Sequence, residues 1–106
     1  VSAQSLEALA NANRIRLDAA QVKREVRAGV LAVTDAIHDP RAGSLTIDGL
    51  LKAQPHWGPQ RVRNALRDLR WATYGPRAVD LWPTQRLRDL TGHQRHALSL
   101  FLGGEL

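Results

Sequence analysis

The sequence predicts an all-α fold, with a long N-terminal helix ahead of a compact domain and about five helices in total. Apolar residues recur at spacings of three and four, and no stretch sustains the two-residue alternation of a half-buried strand. Proline and glycine clusters punctuate the chain between these periodic runs. With 106 residues, 43% of them hydrophobic, the chain is sized for a single domain that folds without staples.

The first run covers residues 5–38. It contains no proline and carries Leu6, Leu9, Val22, Val26, Val33 and Ile37 in helical register. Ser5 is its expected N-cap, and Gly29 marks a kink or a split. Arg14, Arg16, Asp18, Lys23, Arg24, Glu25 and Arg27 crowd the middle, so residues 11–21 are expected to be exposed. The chain therefore divides into residues 1–28, a partly exposed helix, and residues 29–106, a helical domain.

A turn cluster at residues 39–43 closes the first region. Thr46 then caps a short helix whose Ile47, Leu50 and Leu51 form one face, and Gln54-Pro55 ends it. In the following QPHWGP turn, Gly58 is expected to take the unusual backbone angles and Pro59 to open the next helix. That helix runs to about Trp71. Val62, Ala65, Leu66 and Leu69 form its buried stripe, and Arg61, Arg63, Arg67 and Arg70 fill its other faces. Residues 74–83 read as a loop anchored by Val79, Leu81 and Trp82. In residues 83–90, Leu87 and Leu90 are anchors that leave Arg86 and Arg88 outward. The last helix is capped by Thr91, carries Ala97, Leu98 and Phe101 in register, and stops at Gly103-Gly104.

Fifteen basic residues against ten acidic ones give a net charge of +5, which makes polyanions the natural partners. All but Lys23 and Lys52 of the basic residues are arginine, whose planar fork suits phosphate and base edges, although a GC-rich coding sequence gives the same bias. The absence of cysteine excludes a disulfide framework and thiolate metal sites. Neither a membrane-spanning run nor a secretory leader is apparent, so a cytoplasmic protein is expected. His93, His96 and Asp89 lack the fixed spacing of a metal site, and no paired-carboxylate or Ser/His/Asp arrangement stands out. The expectation is a non-enzymatic protein without metal or cofactor.

Two basic constellations carry the functional reading. At the QPHWGPQRVR turn, the amides of a helix N-terminus at Gly58 can meet a phosphate while Gln60, Arg61 and Arg63 reach its neighbours. Pro59 removes one of those donors. In the second, Thr84, Gln85, Arg86 and Arg88 bring four hydrogen-bonding side chains into a short span. An ordinary helical hairpin and a solvated charged face are the plain readings of the same residues.

In order, residues 20–37, 47–69 and 84–102 present an apolar helix, a Pro-x-x-Gly turn, a basic helix, then Thr-x-Arg-Leu-Arg and Gln-Arg-x-Ala-Leu. The three blocks, about 60 residues, resemble the actinobacterial integration host factor family of nucleoid proteins. The resemblance implies a long N-terminal helix on a helix-two-turns-helix domain like that of ribosomal protein S13. It also implies binding to double-stranded DNA through phosphate and minor groove with little sequence preference, bending or compaction of the duplex, and support of phage integration. Gly58 matches the family's hairpin glycine, Arg61 its helix lysine, Thr84 the threonine opening its cluster, and Arg86 and Arg88 two of its three clustered arginines.

Departures bear on that expectation. Gln85 replaces the first clustered arginine, Pro59 a lysine and Trp57 a valine, and the insertion at about residues 70–83 has no family counterpart. Arg14, Arg16, Lys23, Arg24 and Arg27 form a second candidate DNA patch on the first helix. Trp71, Tyr74 and Trp82 are candidates for a protein contact, to a host or recombination protein, although core packing is the expected fate of at least two. The alternative function is thus a protein-interaction module, with an S13-like RNA-binding role third. A monomer associated with the nucleoid, bacterial or phage-encoded, completes the expectation.

Overall fold

The computed structural model describes residues 2–73 and 78–104. These form five α-helices: α1 (Ala3–Arg27), α2 (Val33–Ala36), α3 (Ile47–Lys52), α4 (Pro59–Ala72) and α5 (Gly92–Leu102). Two 3₁₀ turns, Pro40–Ala42 and Leu87–Asp89, join them, and no strand occurs among the described residues. The predicted all-α class with a long N-terminal helix is what the chain adopts. No helix of the described chain is long and apolar enough to cross a membrane.

Local chemistry sets most boundaries. The Ser2 hydroxyl accepts the Ser5 N–H at 3.2 Å, so Ser2 is the cap of α1 and Ser5, the expected cap, lies inside its first turn. Both serines are competent, and the earlier one lengthens the helix. α1 ends where Gly29 enters the left-handed region at φ 76°, letting the Val30 and Leu31 N–H groups both return to the Glu25 carbonyl. Thr46 caps α3 through the Gly49 N–H at 3.0 Å, as expected. Thr91 and Gln94 close a reciprocal capping box at α5.

The core is built on α3. It packs on α4, α4 on α5, α5 on α2, and α1 against α2 and the first 3₁₀ turn. Ile47, Leu50, Leu51, Val62, Leu69, Leu87, Leu98 and Val22 are its fully buried large side chains. Burial of each such side chain stabilises the fold by about 1.5–3 kcal/mol. Val79, Leu81 and Leu90 are buried as predicted. Only the second half of α1 joins this core, through Ala19, Val22 and Val26. Every residue from Ser2 to Arg14 is exposed, so the first half runs free of the domain, within a molecule 53 × 31 × 21 Å across.

One long-range pairing matters for the site. The Ile47 N–H donates to the Gln85 carbonyl at 2.8 Å and the Leu87 N–H to the Leu45 carbonyl at 2.9 Å. Outside these, Asp48 donates to Pro83 and Arg88 to Gly43, each at 3.0 Å. The result is a single antiparallel bridge, Thr46 to Arg86, that fastens residues 83–88 along residues 43–48.

Candidate nucleic-acid interface

The bridge fixes the second basic constellation. Leu87 is buried beneath it, and the half-buried Arg95 of α5 donates from Nη2 to the Leu87 carbonyl at 2.7 Å, clamping the segment from the other side. Arg86 and Arg88 are thereby held outward on a backbone bonded on both flanks. Arg88 packs its Cβ beside Gly43, 3.5 Å from where a side chain there would begin.

Arg86 faces α1. Together with Arg16, Lys23 and Ser44 it lines a cleft of about 410 Å³ whose floor is Ile15, Ala19, Ala20 and Leu45. Three cations and a hydroxyl thus line an apolar-floored cleft, and among the described residues no carboxylate lines it. The sequence placed Arg16 and Lys23 in one patch and Arg86 in another; the fold makes them one. Their seven-residue spacing does put Arg16 and Lys23 on one helix face, but nothing local joins that face to residue 86. Ser44 is an ordinary turn residue and carries no sequence signal.

The remaining α1 cations are placed differently. Arg14 and Arg24 donate to Asn11 and Gln21 one turn earlier, and Arg27 is exposed in the last turn. Lys23, one of the cleft cations, also reaches α3, its Nζ 3.7 Å from where a Gly49 side chain would begin.

At the other constellation, α4 opens with Gly58 as a cap without a side chain and Pro59 in the first turn. Gly58 has φ −101° and ψ −177°, extended angles that any residue adopts, and the left-handed residue of this turn is His56 at φ 67°. The expected special geometry at Gly58 is therefore corrected, and the reason is its neighbour: a residue preceding proline is confined to extended backbone. A Cβ on Gly58 meets nothing within 4 Å, so its surface is open. Arg61 lies over the Trp57 ring, 4.5 Å from its centroid, and Trp57 in turn packs on the core. Gln60 links Arg63 and Asn64 in a hydrogen-bonded row along the exposed side of α4.

Gln85 uses its side-chain acceptor within the chain. Its Oε1 accepts the Trp82 N–H at 2.7 Å while its own N–H returns to the Trp82 carbonyl at 3.0 Å, closing a tight turn. Its carbonyl oxygen is thus committed within the chain. An arginine has no acceptor and could not make this bond, which accounts for a glutamine here. Thr84 stays exposed beside it.

The aromatic insertion also differs from expectation. Trp71 is 69% exposed and Trp82 64%, so core packing does not take two of the three aromatics; of the expected anchors in this stretch, Val79 and Leu81 are buried and Trp82 is not. Trp71 borders a cleft of about 640 Å³ with Leu66, Arg67, Arg70, Ala78, Asp80 and Leu81. Tyr74 lies outside the described residues.

A clamp with no sequence signal holds α1 to the domain. Arg41, in the first 3₁₀ turn, donates to Glu25 of α1 at 2.8 Å and to Asp39 at 2.8 Å. Hydrogen bonds from the Arg41 guanidinium hold both carboxyls below their ordinary values, and the two carboxylates, Asp39 foremost, push the guanidinium up. Arg41 sits in a turn cluster with nothing local to distinguish a clamp from a surface cation.

No family model matches this chain, and no curated protein or solved structure matches it.

Proposed function

We propose that this protein binds duplex DNA without marked sequence preference and acts on DNA architecture. The observation that carries the reading is the convergence of Arg16, Lys23 and Arg86 on one cleft that no carboxylate lines among the described residues. Cations so grouped neutralise phosphates, which positions a protein on a duplex but carries little sequence information. Arg61, steadied on Trp57, and the exposed N-terminal turn of α4 at Gly58 offer a second anchor. Bending or compaction, on the helix-two-turns-helix pattern that the sequence resembles, follows if one duplex engages both anchors.

The test is fluorescence anisotropy of random-sequence duplexes across a salt series. For four to six phosphate contacts the slope of log affinity against log salt is roughly −3.5 to −5.5, and it should be alike for unrelated sequences. No binding at low salt overturns the proposal. Distance change between labelled duplex ends, read by energy transfer at saturation, tests bending separately.

The exposure of Trp71 and Trp82 favours a second reading, a protein-interaction module. Capture of a partner that is lost in Trp71→Ala and Trp82→Ala, with negligible DNA affinity, is the outcome that selects it.

A further inference from the structure

The free half of α1 has a mostly apolar face that the domain does not cover. Leu6, Ala10, Asn13 and Leu17 recur at spacings of four, three and four, with Leu9 beside them. All five are exposed, the leucines at 58%, 63% and 59% in chain order. This stripe lies roughly 180° around the helix from Ala19, Val22 and Val26, which face the core. α1 thus has two such faces, one filled and one empty.

We propose that this empty face pairs antiparallel with the same face of a second copy of the chain. Charge selects the partner and the direction. Glu7 and Arg14 flank the stripe along one edge; among the described residues Glu7 forms no ion pair and Arg14 donates only to Asn11 within the helix. In an antiparallel pair, Leu6 lies against Leu17 of the other copy and Ala10 against its Asn13, and each Glu7 lies beside the other copy's Arg14. Twofold symmetry makes that contact twice. A parallel pair sets Glu7 beside Ser2 and Arg14 beside Leu9, answering neither charge.

Asn13 is the polar residue of the seam. Antiparallel pairing brings the two Asn13 side chains to either side of the twofold axis, about one helical turn apart, where their amides can meet across it. A polar residue so placed fixes register at a cost in stability. Ala10 in each central layer lets the helix axes approach to about 8 Å, the close end of helix packing. Three turns of helix cover less than the ~1,200 Å² of a standard stable interface, so association is weak and concentration-dependent. Lys23 and Arg86 lie clear of the seam and Arg16 only borders it, so this inference does not rest on the DNA reading.

Sedimentation equilibrium on the full chain, from micromolar to near-millimolar concentration, tests it. The expected mass rises from 11.7 kDa toward twice that value. Glu7→Arg sets like charges together at both contacts and weakens association roughly tenfold or more, as does Arg14→Glu, and the double swap restores it. The chain has no cysteine, so single cysteines report direction: Leu6→Cys and Leu17→Cys chains should cross-link when mixed and not when alone. A constant mass of 11.7 kDa at all concentrations overturns the proposal. So does association that Glu7→Arg leaves unchanged, or cross-linking of either cysteine chain with itself.

Discussion

At His56 the backbone stands at φ 67°, a left-handed conformation that costs a residue bearing a side chain about 1–2 kcal/mol. His56→Gly relieves that cost and gives part of it back as freedom of the unfolded chain, so a net gain of about 0.5–1 kcal/mol in urea unfolding is expected. His56→Val, branched at Cβ, should lose at least about 1 kcal/mol at the same position. Gly58 behaves otherwise: its angles suit any residue and its surroundings are open, so Gly58→Ser should raise stability by a few tenths of a kcal/mol through capping. If a phosphate approaches the Gly58 backbone closely, the same substitution weakens DNA binding in an anisotropy titration. The turn itself is legible from its prolines and glycine. Weighing Pro59 against Gly58 removes Gly58 from the left-handed region, but that the chain reverses at His56 and not at Trp57 is settled only by the fold.

Among the elements, α1 depends on few contacts. Three small or medium side chains enter the core, and the Arg41 clamp, which bonds Glu25 of α1 and Asp39, adds to its attachment. Both carboxyls are held below their ordinary values by Arg41, so the clamp's contribution is whole above the usual carboxylate range and is lost as pH falls through and below it. Thermal unfolding followed by circular dichroism should therefore show a stability loss on acidification, and Arg41→Met should flatten it. Equal acid sensitivity in parent and variant would assign the loss to other groups. The helices themselves are readable because each carries its own period and cap: Thr46 and Thr91 cap as the sequence indicates, and the Val62 to Leu69 stripe of α4 is buried. The clamp is not, because Glu25 and Arg41 meet through tertiary packing sixteen residues apart. Trp71 and Trp82 mislead because large rings usually anchor cores, whereas here Val79 and Leu81 are buried and both rings are exposed.

For the whole molecule, the grouping of basic residues decides what can be tested. Arg16→Ala, Lys23→Ala and Arg86→Ala together should weaken binding to unrelated duplexes alike and make the salt slope shallower by about 0.9 for each phosphate released. Arg61→Ala, altering a separate anchor, should act independently of that set, and non-additive losses would show that the two anchors are linked. Net charge and arginine bias point to polyanions, but the cleft draws residues 15–23, 44–45 and 86 from three parts of the chain, which no local pattern reveals. That assembly has an energetic consequence. Three like charges brought to one cleft repel one another in the empty protein and are separated in the unfolded chain, where the cleft does not exist. An anion that enters it both relieves the repulsion and favours the folded state, by about 2.7 kcal/mol at a concentration one hundred times its dissociation constant. The melting temperature should thus climb with inorganic phosphate beyond what Arg86→Ala permits, which makes heat resistance itself a gauge of cleft occupancy.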